Sequence, residues 1–340
     1  VGTANAILGK DLMPTKERDP LYVQPTGWHN KQVNSDGNRI WLYNRSHIIG
    51  YQLTGENNNP KNLLLKKANE AYGRIRMKIL ASQNQLMSGL QIVQRAISSK
   101  NTLQFLNGIY LEAKNDQLRL RATDLEIAIE CTIPVQVHEE GVVLVPAKYF
   151  VEIVKRLPDL EILMELEENS NILTLSYGSS QVQLNTYNPE EYPLLPEIEG
   201  EYEFEVNCDL LINAIRQVIV AASQDTSRPI FTGVLMEVEE GENIKLVSSD
   251  THRLAYRQIR LNGPARPGLN CSVIIPSRSL NELSRIFRPE DNILGIKIAD
   301  NQILFQTEDV VLISRLIEGQ FPNYKQVIPQ EYHTRVRLLT

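Results

Sequence analysis

Long apolar runs are missing from this 340-residue sequence: no stretch of 18 hydrophobic residues occurs, which excludes a helix that spans a membrane. Cysteine is scarce too. The three present, Cys131, Cys208 and Cys271, are odd in number and far apart, with no C-x-x-C pair. That excludes a disulfide-stapled scaffold and points to buried thiols in a reducing compartment. No segment reads as a secretory leader, so a cytoplasmic protein is expected. Compositional bias is also lacking: 42% hydrophobic and 22% charged residues lie near globular averages and exclude wholesale disorder. The length suits two or three ordinary domains.

Net charge is −6 and unevenly spread. Residues 1–76 hold eleven Lys/Arg against six Asp/Glu, whereas residues 77–340 hold 24 against 35. A change of sign at one place suggests two pieces of different origin. The acidic part, taken alone, implies no more than solubility.

Within the acidic part the sequence repeats. Asn107-Gly108-Ile109-Tyr110-Leu111-Glu112 recurs as Thr232-Gly233-Val234-Leu235-Met236-Glu237, and Thr123-Asp124 recurs as Ser249-Asp250. Val145-Pro146-Ala147 returns as Ile275-Pro276-Ser277, and Glu191-Tyr192-Pro193 as Gln320-Phe321-Pro322. The offsets stay between 125 and 130 and keep their order, which implies two copies of one domain. Each copy opens with a helical pattern: Leu86, Leu90, Val93 and Ile97 in the first, Leu211, Ile215 and Val218 in the second. Alternating strands follow, such as Gln117–Arg121, Asn243–Val247 and Ile172–Tyr177. A second helix is expected to carry Pro146 or Pro276 in its first turn, where a missing N–H costs nothing. Its apolar positions are Phe150, Ile153, Val154 and Leu157, or Leu280, Leu283 and Phe287. The expected class is therefore α+β, with two helices on antiparallel strands in each copy. No catalytic constellation stands out in residues 77–340; His138 and His333 have no metal-ligand partner at short spacing.

The segments Met77-Lys78-Ile79, Ala122-Thr123-Asp124-Leu125-Glu126, Val145-Pro146-Ala147-Lys148, Ser249-Asp250-Thr251-His252-Arg253-Leu254-Ala255 and Leu316–Pro322 resemble those of the bacterial DNA sliding clamps, the beta subunits of DNA polymerase III. The resemblance covers residues 77–340 and implies clamp domains at 77–200 and 201–329. A third would begin at 330 and reach only Thr340. It implies a non-catalytic processivity factor that tethers the polymerase to duplex DNA without reading sequence. Helices lining a hole would present cations to phosphate, while the outer surface stays acidic. Relatives close as ring homodimers through the third domain, so this chain is expected to be monomeric or weakly associating at micromolar concentration.

The resemblance also assigns residues. Lys100, Lys148, Gln224, Arg228 and Arg278 would face DNA. Lys148 and Arg278 both fall two residues after the helix-starting proline, a recurrence visible in the sequence itself. Near Lys100 the family often has an Arg-Pro pair, where this chain reads Lys100-Asn101-Thr102. Phe231, Ser249, Thr251, His252, Arg253, Leu254 and Pro329 would form a groove for the short hydrophobic peptides of the polymerase III catalytic subunit, the clamp loader and other proteins with clamp-binding motifs. No cofactor is implied by this part of the chain.

Residues 1–76 form a different piece. Gly27-Trp28-His29, the passage Trp41–Asn57 and Asn59-Pro60-Lys61-Asn62-Leu63 resemble the non-specific DNA/RNA endonucleases of the ββα-metal type. That resemblance implies His47 as a general base and a Mg²⁺ held by a downstream Asn. The expected continuation is absent, since the chain reads Leu64–Ala71 with Asn69 outside the family's pattern. An inactive fragment fused ahead of a clamp is the expectation.

Overall fold

The computed structural model describes residues 77–98, 101, 103–166, 171–193, 204–239, 242–263, 265, 269, 271–299 and 301–328, together with the backbone of four strands nearer the N-terminus. Two compact units are present, Val1–Arg74 and Ile75–Thr340. In the first, β1 (Gln32–Ser35) pairs antiparallel with β2 (Asn38–Trp41), and β3 (Tyr43–His47) with β4 (Leu63–Lys67).

In the second unit both copies follow one order, except that β9 of the first has no counterpart among the described residues of the second. The first runs β5 (Met77–Ser82), α1 (Gln83–Val93), β6 (Gly108–Lys114), β7 (Gln117–Thr123), β8 (Ile127–Pro134), β9 (Gln136–Glu139), β10 (Gly141–Pro146), α2 (Ala147–Arg156), β11 (Glu161–Leu166), β12 (Ile172–Tyr177) and β13 (Ser180–Asn185). The second runs β14 (Phe204–Asn207), α3 (Cys208–Val218), β15 (Gly233–Glu239), β16 (Asn243–Ser249), β17 (Leu254–Arg260), β18 (Cys271–Pro276), α4 (Ser277–Ile286), β19 (Ile293–Ala299), β20 (Gln302–Gln306) and β21 (Val310–Arg315). The α+β class and the duplication are both seen.

Local chemistry sets these elements. On β7, Leu118 and Leu120 are fully buried. Arg119 and Arg121 alternate with them and form cross-strand ion pairs to Glu112 and Glu130 at 2.5–3.7 Å. The β6–β7 hairpin closes through Asn115 and Asp116, both at positive φ, as a two-residue turn matched to strand twist demands. Helix α2 buries Ala147, Phe150, Val151 and Val154 on one side, and each large apolar side chain so buried contributes about 1.5–3 kcal/mol. At the start of α3 the Asn207 side chain accepts the N–H of Leu210 at 3.1 Å, which caps the helix.

Pro146 and Pro276 differ from expectation by one position. Each is the N-cap, just ahead of the first turn, and also ends a strand, pairing opposite Gly108 and Gly233. A proline's missing N–H suits both places, which is why sequence alone does not choose between them. The glycines opposite are required by space: a Cβ on Gly233 would lie 2.5 Å from Ile274 Cγ2, and one on Gly108 2.7 Å from Leu144 Cδ1.

The sheets carry one feature that the repeat does not reveal. Each copy builds two sheets, and one sheet belongs to both. Its eight strands run β10-β6-β7-β8-β21-β20-β19-β14, joined where β8 pairs with β21 from Ile127↔Ser314 to Cys131↔Val310. The other two are β13-β12-β11-β5-β9 and β17-β16-β15-β18. Ala128, Leu304 and Ile313 bury one another beside the joint. Alternation says which face of a strand is apolar and nothing of which edge it offers.

Candidate functional site

On the described helices charge is sorted. The four of them hold Lys148, Lys155, Arg156, Arg216, Arg278 and Arg285 against only Glu152, Asp209 and Glu282. Since residues 77–340 carry 24 cations and 35 carboxylates, the helices are locally basic within an acidic protein. Helix α1 packs beside α2, and α3 beside α4. Arg95, in the turn after α1, reaches Glu282 of α4 at 3.2 Å and links the two pairs.

Lys148 and Arg278 are the second residues of α2 and α4, and both are exposed. Their surroundings differ. Lys148 has its ammonium 5.9 Å from the centroid of Tyr149, and no carboxylate lies within ion-pair reach among the described residues. Arg278 donates from Nη1 to Asp124 Oδ2 at 2.6 Å, across the joint between the copies. Lys100 lies outside the described residues.

The second site forms at the loop between β16 and β17. Asp250 Oδ1 accepts the N–H groups of His252 and Arg253, both at 3.0 Å, and its Oδ2 takes Arg253 Nε at 2.9 Å. The backbone hydrogen bond from Arg253 is the leading cause that holds the Asp250 carboxyl below the ordinary carboxylate range. Ser249 supports the same turn: its Oγ donates to the carbonyl of Arg253 at 2.9 Å and accepts the N–H of Thr251 at 3.2 Å. Thr251 takes φ 76°, and Leu125 at the equivalent place in the first copy takes φ 77°. A left-handed conformation without glycine at both positions marks a turn dictated by its surroundings.

This turn walls a depression of ≈ 350 Å³, completed by Ala222–Asp225, Arg228 and Phe231. Asp225, held below the usual range chiefly by the N–H of Ser227, lines it together with Asp250. The depression thus brings Phe231, Thr251, His252 and Arg253 together with Gln224 and Arg228, which sequence had assigned to DNA. Leu254 lies next to it, packed with Ile230, Ile317 and Phe321 against buried Leu235, Val247, Ile274 and Tyr324. Pro329 lies outside the described residues. Sequence reading overlooked Phe321 and the carboxylates Asp124 and Asp250 as structural parts of the site, although each stood in a repeated segment it had singled out.

Comparison with known proteins decides the family. The family model of the DNA polymerase III beta subunit N-terminal domain matches residues 77–196, and that of the central domain matches residues 205–323. The beta sliding clamp of Bacillus subtilis is 35% identical over 268 residues, spanning 76% of this chain and 70% of its own length. The chain belongs to the bacterial beta sliding clamp family. Its function in DNA replication is accordingly that of a non-catalytic processivity subunit of DNA polymerase III. The crystal structure of the B. subtilis clamp superposes with a TM-score of 0.71 at 34% identity, over 75% of this chain and 68% of that one. The Helicobacter pylori beta clamp, solved with a DNA ligase peptide, gives 0.69 at 27% identity, over 75% and 71%.

A third family model, DNA/RNA non-specific endonuclease, matches residues 1–85. His47 ends β3, where only the backbone is described, and Asn69 lies outside the described residues. Among the described residues no group of three His, Cys, Asp or Glu side chains converges as a metal ion would need.

Proposed function

We propose that residues 77–329 hold duplex DNA through the basic face of their helices and hold partner proteins through the depression beside β17. The modules are assigned as 77–200 and 201–329, followed by the start of a third at 330–340, and the protein as cytoplasmic. The observation that carries the DNA reading is that the helices α2, α3 and α4 of an acidic chain together hold more cations than carboxylates, with Lys148 exposed at the start of α2. Lys148 and Arg228 meet phosphate, with Gln224 near Arg228. Contacts to phosphate position a duplex without reading it, as sliding requires. Lys100 and Pro329 join their sites on resemblance alone.

The depression takes a short hydrophobic tail from the polymerase III catalytic subunit, the clamp loader or another protein with a clamp-binding motif. Phe231, Leu254 and their apolar neighbours supply contact area, and Thr251, His252 and Arg253 supply polar anchors. Titrating a fluorescent duplex at several salt concentrations tests the DNA half. Lys148→Ala should lower the slope of log K against log salt by about one. Binding that depends on sequence, or a slope indifferent to Lys148, would sink the assignment.

A second reading, a Mg²⁺-dependent endonuclease based on His47, draws support from the family model that matches residues 1–85.

A further inference from the structure

The two aspartate turns carry the same backbone geometry but take their cations from different places. Asp124 Oδ1 accepts the N–H groups of Glu126 and Ile127 at 3.1 and 3.0 Å, as Asp250 Oδ1 accepts those of His252 and Arg253. In the second copy the partner of Oδ2 is Arg253, within the turn itself. The equivalent residue in the first copy is Ile127, buried and apolar, so the turn has no cation of its own there. Arg278 of the following module supplies it. Only 4% of the Asp124 side chain is exposed, against 49% of Arg278.

Ile127 is also the first residue of β8 and pairs with Ser314 of β21, so the Asp124 turn aligns the strand that joins the modules. The first turn of α4 is also tied to the other strand of the joint, β21: the hydroxyl of Ser314 donates to that of Ser279 at 2.7 Å. Arg278 and Ser279, neighbours on α4, therefore grip both strands of the joint.

We propose that Arg278 is a positioning residue, an intermodule strut that seats β8 against β21, and that of the repeated pair only Lys148 serves as a phosphate contact. The contrast with Lys148 rests on the proposed DNA-binding function; the strut does not. Two readouts on the full chain test it: amide exchange at 127–131 and 310–314, and the salt slope of duplex binding. Arg278→Ala should speed exchange at these amides about fivefold or more and leave the slope unchanged. Asp124→Asn keeps the acceptor for the turn but removes the charge, so it should reproduce the exchange effect. The double variant should add little to either single one, because both remove one bridge. Lys148→Ala should do the reverse, lowering the slope and sparing exchange. Any other pattern in Arg278→Ala, above all a lowered slope with exchange unmoved, overturns the strut. Should the unaltered chain fail to bind duplex, the proposed function falls, and exchange still decides the role of Arg278.

Discussion

Phe231 meets Phe321 edge to face, with ring centroids 6.1 Å apart and planes at 65°. One ring comes from the turn ahead of β15 and the other from the segment after β21, so the contact ties two distant stretches of chain at the depression. Edge-to-face pairs contribute about 0.5–1.5 kcal/mol beyond the area they bury. Phe321→Ala should lower unfolding stability by at least that much. It should weaken a fluorescent clamp-binding peptide by about two- to tenfold, given 1.4 kcal/mol per decade. Denaturant melts and anisotropy titrations measure the two effects. Peptide affinity unchanged in a destabilised variant would place the docking site elsewhere.

Gly233→Ala should destabilise the chain by about 1–3 kcal/mol, the usual effect of forcing an extra carbon into a packed core. The added Cβ would meet Ile274 Cγ2 at 2.5 Å, Ile317 Cδ1 at 2.8 Å and the carbonyl oxygen of Ile275 at 2.9 Å. Backbone cannot give way as a side-chain tip can. A urea midpoint equal to that of the parent would show that the strand shifts more easily than its neighbours suggest.

Alkaline stability should fall in a defined window. Burial pushes the Cys131 and Cys208 thiols up to about 12, with nearby carboxylates adding to it. The folded values lie above the unfolded ones, so the thiols disfavour unfolding fully below about pH 8.5 and progressively less as pH rises toward 12. Between pH 7 and pH 10 each thiol should cost about 1–2 kcal/mol of stability. Chemical unfolding at both pH values, with Cys131→Ala for comparison, checks the sign; a loss of equal size in that variant would refute the attribution. At pH 8 a thiol reagent should modify Cys131 and Cys208 only on unfolding.

For the endonuclease reading the expected outcome is negative. Supercoiled plasmid incubated with the full chain and Mg²⁺ should stay intact at the same rate with His47 and with His47→Ala. Nicking that disappears in His47→Ala would restore a catalytic role to the first unit.

Much of the second unit could be read from sequence because its signals are local and doubled. The apolar spacing of Leu86, Leu90 and Val93, the alternation of Gln117–Arg121 and the two prolines each depend on near neighbours, and each has a counterpart in the other copy. The turn at Ser249–Leu254 was legible as a segment because its side chains bond to their own backbone. What escaped was long-range. That Arg278 would find Asp124, 154 residues away, follows from the pairing of β8 with β21 and from no pattern along the chain. Likewise Gln224 and Arg228 had been sorted with DNA, yet the fold sets them around the same hollow as His252. The two proposed surfaces therefore share residues.

The sheet that crosses from one module to the other has a mechanical meaning. With strands of both modules hydrogen-bonded side by side from β10 to β14, the pair has no hinge at its middle. The setting of one module against the other is therefore held by backbone hydrogen bonds between β8 and β21. The depression stands instead on the separate sheet β17-β16-β15-β18, so a load applied there would reach the far module only through the packing between the two sheets of its own module, not along a continuous strand ladder.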